Sequence, residues 1–191
     1  HPEQAMAEGV GGASNTLLDE SNRLREELAY AHGHEAYLEE QAEKDRLLHV
    51  MRRRAFLARL NLAARRVADE QVQFSFIYLV IANAGAVRTN FGHGAAENLM
   101  MQAAEVMREA VEPGDVVGSL EQFDFGVLLT GIPMAQAEDK ARSLVQSLKG
   151  RSFMWQGQDV RIDADFGLAQ VASIDSGDEV IARAKRDRDE R

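Results

Sequence analysis

Few residues of this chain have side chains whose type and spacing suggest chemistry. None of the 191 residues is cysteine, which excludes disulfides, thiolate metal sites and a thiol nucleophile. His32 and His34 could form a pair of metal ligands, but helical residues two positions apart do not share a face. We therefore interpret Gly33, which lies between them, as a local weakness of a helix rather than as part of a metal site.

A cluster of arginines offers a second kind of chemistry, the binding of anionic groups. Residues 51–68 (MRRRAFLARLNLAARRVA) have an amphipathic pattern in which apolar side chains share one helix face and arginines occupy the rest. Such a helix can contact a membrane surface or an anionic partner. We favour the simpler interpretation, a surface helix whose core-facing residues are Phe56, Leu57, Leu60, Ala64 and Val67.

The charge of the chain is divided into blocks. The formal net charge of −9 comprises −8 over residues 1–45, +7 over residues 46–66 and −8 over residues 67–191. This acidity argues against a nucleic-acid-binding protein, which normally presents a dominant basic surface. No apolar run approaches the roughly 18 residues that a membrane span needs. Together with the absence of cysteine, these features predict a cytoplasmic protein, or the cytoplasmic part of a larger receptor.

The first quarter of the chain has the pattern of a long helix. Residues 1–12 (HPEQAMAEGVGG) predict a disordered start or a tag-like remnant, whereas residues 13–48 are rich in helix formers and contain no proline. Apolar residues recur every seven positions, with interruptions at Ser21 and Glu35, which predicts a parallel dimeric coiled coil. The alternative is a solvated helix that lies on its own domain. The residues expected at the dimer seam are Leu17, Leu24, Leu28, Ala31 and Leu38.

Residues 49–191 predict one α+β domain. Phe74 to Ala82 (FSFIYLVIA) is a continuous apolar run, typical of a strand buried on both faces. A turn at Glu121-Gln122 joins two short runs into a β-hairpin. The order α, β, α, β-β, α, β-β, α favours a mixed-to-antiparallel, ferredoxin-like sheet flanked by helices. The later elements are predicted as helices 94–110, 135–150 and 176–188 and strands 116–120, 123–129, 153–156 and 160–171, with 83–93 as a polar connection.

Seven short stretches of the chain follow one another in a characteristic order and spacing. They are Asp45 to Phe56, Phe91-Gly92-His93, Gly114 to Val117, Ser119 to Phe125, Phe166 to Ala169, Asp178 and Ala184-Lys185. In this order and spacing they resemble the GGDEF domain, the fold of bacterial diguanylate cyclases. The resemblance implies a nucleotide-cyclase-like fold preceded by a coiled-coil signalling helix.

The resemblance also implies that the catalytic signature of the family is degenerate here. The signature falls on Glu121, Gln122, Phe123, Asp124 and Phe125. Its two glycines, which let the backbone approach a nucleotide, are replaced by the first two of these residues. Its first metal-binding carboxylate is replaced by Phe123, and the other metal carboxylate of the family corresponds to Val80. Since valine and phenylalanine cannot ligate a metal, we expect no metal, no cofactor and no catalytic residue.

The positions that bind nucleotide in the family are altered as well. Arg88 stands where an asparagine reads guanine, and Glu97 stands for its companion aspartate. Lys185 survives at a phosphate-contacting position, although we favour a solvated helix lysine. The inhibitory R-x-x-D motif has lost its arginine to Glu112, while Asp115 remains. Because arginine pairing with phosphate is the core of such a site, we expect the inhibitory site to be lost.

The hypothesis that follows is a non-catalytic GGDEF domain of a bacterial cyclic-di-GMP signalling regulator, acting in dimerisation and signal relay. We expect a homodimer through the N-terminal helix, and neighbouring sensor and EAL phosphodiesterase domains in the full-length protein. Two alternatives remain open: a GTP-binding allosteric regulator of an attached EAL domain, and a protein-interaction module. For the latter, Phe123 at the hairpin is either an exposed contact anchor or a residue that folds back into the sheet.

Overall fold

A computed structural model describes residues 2–45 and 47–191 of the chain. These residues form two compact units, the first ending at Ala42 and the second running from Glu43 to Arg191. Within this described part, no helix is both long enough and apolar enough to cross a membrane.

The first unit is formed by helix α1, Pro2–Glu43, so the long N-terminal helix that the sequence predicts is present. It begins within the stretch for which disorder was expected; His1 itself lies outside the described residues. Proline is tolerated in the first turn of a helix, and no other proline occurs before Pro113. Gly33 does not interrupt α1 either, because a glycine in a helix costs only about 1 kcal/mol relative to alanine.

The second unit contains eleven further elements among the described residues. They are α2 (Arg53–Glu70), β1 (Phe74–Ile81), α3 (Ala84–Phe91), α4 (His93–Ala110), β2 (Val116–Ser119), β3 (Asp124–Thr130), α5 (Met134–Lys149), β4 (Ser152–Trp155), β5 (Gln158–Arg161), β6 (Ala164–Gln170) and α6 (Gly177–Glu190). Four strands form a sheet in the order β2-β3-β1-β6, and every neighbouring pair is antiparallel. The predicted α+β architecture with a sheet flanked by helices is confirmed.

Two local predictions were wrong. The predicted strand 160–171 is broken into β5, which pairs only with β4, and β6, which pairs with β1. Asn83 explains the break, since its side-chain amide donates to the Arg161 carbonyl at 2.7 Å and accepts from the Asp163 amide at 3.0 Å. The predicted connection 83–93 contains helix α3, which buries Ala84 and Val87 against the sheet.

The sheet is covered on both faces, as the apolar run in β1 predicts. Ile77, Leu79 and Ile81 point to the core beneath α3, α4 and α5, while Phe76 and Tyr78 point to the core beneath α2 and α6. This alternation follows from the two-residue period of a strand.

Helix α2 packs closely against the β2–β3 hairpin. A side chain at Gly118 or Gly126 would come within 2.5 or 2.6 Å of the Phe56 ring, so glycine is needed for this approach. Phe56 and Leu60 are fully buried, whereas Arg54 and Arg59 are exposed. The interpretation of the arginine-rich segment as a surface helix with its apolar side in the core is therefore confirmed.

Candidate functional site

The residues that the resemblance aligns with the family signature lie where the β2–β3 turn meets the end of β1. Asp124 is the register partner of Val80, and the Ile81 amide donates to the Phe123 carbonyl at 3.0 Å. The turn is closed by the Leu120 amide, which donates to the Asp124 carbonyl at 2.9 Å. The two positions that the resemblance assigns to metal carboxylates, Val80 and Phe123, are thus close along the paired backbone, with their side chains on opposite faces of the sheet.

The remaining signature carboxylate, that of Asp124, has a partner within the chain. The Tyr78 hydroxyl donates to its Oδ2 atom. Tyr78 is 3% exposed, and burial together with the neighbouring Asp124 carboxylate raises the pKa of the Tyr78 hydroxyl. Asp124 therefore accepts a hydrogen bond from a phenol whose neutral form is favoured in the folded chain.

Lys185 of α6 also has a partner at the turn. Its Nζ atom lies 3.0 Å from Oε1 of Glu121 and 5.3 Å from the centre of the Tyr78 ring. The Lys185 ammonium lowers the pKa of the Glu121 carboxyl. Lys185 lies on helix α6 with its side chain 35% exposed, and Glu121, at the first signature position, reaches its ammonium.

Phe123 points to the opposite face of the sheet. It is partly buried and packs against the core beneath α3 and α4. The Arg88 guanidinium lies over its ring, 5.4 Å from the centre. Of the two positions considered for Phe123, the structure places it folded back against the sheet.

A cavity of about 190 Å³ lies beside this stack. Arg88, Glu97, Gln122 and Phe123 line it together with apolar side chains that include Met100. Glu97 lies 3.1 Å from Nε2 of His93, a contact that is an ion pair only when the imidazole is protonated. The structure therefore brings the altered base-reading positions together around one cavity, with Arg88 and Phe123 stacked at its wall.

The altered inhibitory motif forms a separate, structural contact. The Asp115 side chain is 8% exposed and accepts hydrogen bonds from the amides of Glu112, at 3.2 Å, and Thr130, at 3.1 Å. Lys140 of α5 adds an ion pair at 3.0 Å. Asp115 thus ties the turn before β2 to β3 and α5.

Sequence reasoning missed Tyr78 and Lys140 as partners of the altered sites. Tyr78 lies inside the apolar run of β1, and only the strand period, which puts it on the same face as Val80, could have suggested its position. Nothing in the sequence pairs Lys140 with Asp115, 25 residues away. Among residues 2–45 and 47–191, no group of three or more His, Cys, Asp or Glu side chains is arranged to hold a metal ion.

Comparison with known proteins gives a consistent result. The family model described as diguanylate cyclase, GGDEF domain, matches residues 42–188. The probable diguanylate cyclase DgcE of Escherichia coli is 23% identical over 154 residues, which cover 81% of this chain and 13% of DgcE. The diguanylate cyclase TpbB of Pseudomonas aeruginosa is 27% identical over 173 residues, which cover 88% of this chain and 39% of TpbB. The chain thus spans well under half the length of these relatives.

A solved structure extends the likeness to both units. The coiled coil and GGDEF domain of DgcB from Caulobacter crescentus, in complex with cyclic di-GMP, superposes with a TM-score of 0.78 at 16% identity. The match covers 89% of this chain and 91% of the DgcB chain. At this identity the likeness concerns the fold alone.

Proposed function

Because the chain belongs to the GGDEF family of diguanylate cyclase domains, we propose that it is a non-catalytic member that acts in cyclic-di-GMP signalling through dimerisation and signal relay. One observation carries the proposal. Val80 and Phe123 replace the metal carboxylates, and the carboxylate that remains, Asp124, accepts a hydrogen bond from Tyr78.

The first argument concerns the metal. Phosphoryl transfer by this family depends on divalent cations held by carboxylates, and such cations prefer oxygen ligands. Val80 and Phe123 offer only hydrocarbon at the two positions in question. Of the family's acidic signature positions, a cation here would have only Asp124, and it would have to displace the Tyr78 hydroxyl.

The second argument concerns the nucleotide. Lys185, the remaining phosphate-contacting position, is paired with Glu121 at 3.0 Å. A nucleotide phosphate would compete with that carboxylate for the ammonium and would be repelled by it. On the opposite face, the Phe123 ring and Arg88 stack at the wall of the cavity in which the family reads guanine.

The relay role rests on helix α1. The apolar side chains of Leu17, Leu24, Leu28 and Leu38 recur at heptad spacing and are 71%, 54%, 56% and 52% exposed. A second copy of the helix would bury them, as in a coiled coil. In the full-length protein we propose that this helix transmits the state of an upstream sensor to paired GGDEF domains, with an EAL domain as a further neighbour.

The experiment that tests this function is a product assay. The purified chain is incubated with GTP and either Mg²⁺ or Mn²⁺, and cyclic di-GMP is sought by chromatography, with TpbB as the positive control. We expect no product. Product with either cation, abolished by Asp124→Asn, would show that the domain is an enzyme and that the proposal is wrong.

A variant that restores the family pattern makes this assay sharper. It combines Val80→Asp and Phe123→Asp with glycine at Glu121 and Gln122, and its fold is checked by circular dichroism. If the loss of ligands causes inactivity, this variant should bind Mn²⁺ more tightly than the wild type does. Equal Mn²⁺ binding by both folded proteins would contradict the metal argument.

The alternative of a GTP-binding regulator predicts a different result. Calorimetric titration with GTP and Mg²⁺ should then release heat at millimolar GTP or below, and the Lys185→Met variant should release less. The Glu121–Lys185 ion pair disfavours this outcome, because it occupies the cation that a phosphate would need.

A further inference from the structure

A groove on helix α1 has the residue pattern of a coiled-coil interface. Six residues line it, and they span parts of two consecutive heptads: Leu17, Glu20, Ser21, Leu24, Arg25 and Leu28. With Leu17 and Leu24 at heptad position d, Ser21 and Leu28 take position a, Glu20 takes g and Arg25 takes e. The residues at a and d form the seam, and those at g and e flank it.

These six residues form two holes of the knobs-into-holes kind. Leu17, Glu20, Ser21 and Leu24 surround one hole, which accepts a side chain from position a of a facing helix. The second, formed by Ser21, Leu24, Arg25 and Leu28, accepts one from position d. The groove therefore fits a second copy of the same helix. In a parallel pair, Ser21 and Leu24 of that copy would be its knobs.

The charged residues that flank the seam favour a parallel, in-register dimer. In a parallel, in-register pair of helices, a residue at g faces the residue at e five positions further along the other chain. Glu20 faces Arg25 of the partner subunit in this way, and symmetry supplies the pair twice. Glu27 and His32 stand in the same relation one heptad later.

We propose that Glu20 and Arg25 fix the orientation and register of this dimer, so that α1 pairs with a second copy in parallel. The inference rests on the proposed role of α1 in dimerisation. Within a single helix, Arg23 contacts Glu20 and Glu27, at 3.4 Å each. Both contacts are between exposed side chains, and such ion pairs contribute little free energy. They leave carboxylate oxygens for a second partner, because a carboxylate accepts several hydrogen bonds.

Charge reversal in the full chain tests the pairing. Glu20→Arg alone, or Arg25→Glu alone, places like charges opposite each other twice per dimer, and should raise the dissociation constant about tenfold at low salt. The double variant Glu20→Arg/Arg25→Glu restores both pairs with their signs exchanged, and its dissociation constant should return to near the wild-type value. Glu26→Arg, with the same change of charge at an exposed position away from the seam, is the matched control and should leave the constant unchanged.

Orientation has its own test, which exploits the absence of native cysteine. Ser14→Cys places a thiol at position a, where the two copies meet in a parallel dimer, and should form an intersubunit disulfide under mild oxidation. Asn22→Cys places the thiol on the outer face at position b and should not.

The outcomes separate this inference from the proposed function. Sedimentation equilibrium could show a dimer whose dissociation constant is the same in the charge-reversal variants and in the wild type. That result, or a Ser14→Cys variant that does not cross-link, would refute the parallel pairing but not dimerisation itself. A wild-type chain that stays monomeric at tens of micromolar would refute both.

Discussion

The turn between β2 and β3 divides its residues between the two faces of the sheet, and the side chains on the two faces make different kinds of contact. On one face Phe123 supplies an apolar ring that packs against the core and stacks with Arg88. On the other, Asp124 accepts a hydrogen bond from Tyr78, and Glu121 forms an ion pair with Lys185 of the same chain. One face thus carries a mainly apolar contact, and the other carries polar side chains that have partners in the same chain.

The contacts on the two faces should therefore contribute different amounts to the free energy of unfolding. Packing of a partly buried aromatic ring contributes by removing apolar surface from water. A buried hydroxyl–carboxylate bond contributes less, and an exposed ion pair contributes least. Three substitutions, one for each kind of contact, test this order.

The largest effect is expected from Phe123→Ala. A fully buried phenylalanine costs about 3 to 5 kcal/mol on truncation to alanine, and partial burial should reduce the loss here to about 2 kcal/mol. Urea unfolding, followed by circular dichroism, measures the change in the free energy of unfolding. Met154→Ala, at a side chain that is 66% exposed, is the control and should change it by less than about 0.5 kcal/mol.

A small loss in the free energy of unfolding of Phe123→Ala would contradict the expected order of the two faces. If the variant lost no more than the Met154→Ala control, the ring would contribute little to the core. Phe123 would then be better explained as a contact for a partner protein, and the apolar face would no longer be the stronger one.

An intermediate effect is expected from Tyr78→Phe. The substitution removes the hydroxyl that donates to Asp124 and leaves that carboxylate without its donor, which should cost about 1 to 1.5 kcal/mol at neutral pH. Asp124→Asn and the double variant complete a double-mutant cycle. A coupling energy near zero would mean that the bond does not contribute to stability.

The same bond predicts a dependence on alkaline pH. The pKa of Tyr78 is raised in the folded chain by burial and by Asp124, so the folded state favours the neutral phenol. The stabilisation is complete below the ordinary tyrosine pKa of about 10 and is lost above it, by up to about 1.4 kcal/mol per pH unit. Tyr78→Phe should lack this decline, whereas Tyr37→Phe, at an exposed position of α1, should keep it.

The sequence predicted the parts of the fold that depend on local pattern. The apolar run of β1, the turn at Glu121-Gln122 and the apolar side of α2 each follow from periodicity or turn chemistry within a few residues. Helix α3 was missed because Ala84 to Phe91 is short and its glycine and polar residues resemble a loop. The division of 160–171 was missed because it depends on Asn83, about 80 residues earlier.

The contacts of the site were less predictable than the positions of its residues. That Val80 and Phe123 stand at metal-carboxylate positions stays a prediction from the family pattern. The partner of Asp124 could not, since Tyr78 lies 46 residues away and reaches it through strand pairing. Lys185 and Glu121 are 64 residues apart, and their pairing depends on how α6 packs over the hairpin.

The smallest effect is expected from Glu121→Gln. Glu121 and Lys185 are 56% and 35% exposed, so the ion pair should contribute about 0.5 kcal/mol or less. The pKa of Glu121 is lowered in the folded chain, so this contribution is present above the ordinary glutamate pKa of about 4.3 and is lost as the pH falls below it. A double-mutant cycle with Lys185→Met, measured at low salt and again at about 1 M salt, where screening is strong, isolates the pair. If the coupling energy is zero at low salt, Glu121 does not hold Lys185, and a phosphate could bind the Lys185 ammonium without competition. The electrostatic argument against GTP binding would then fail.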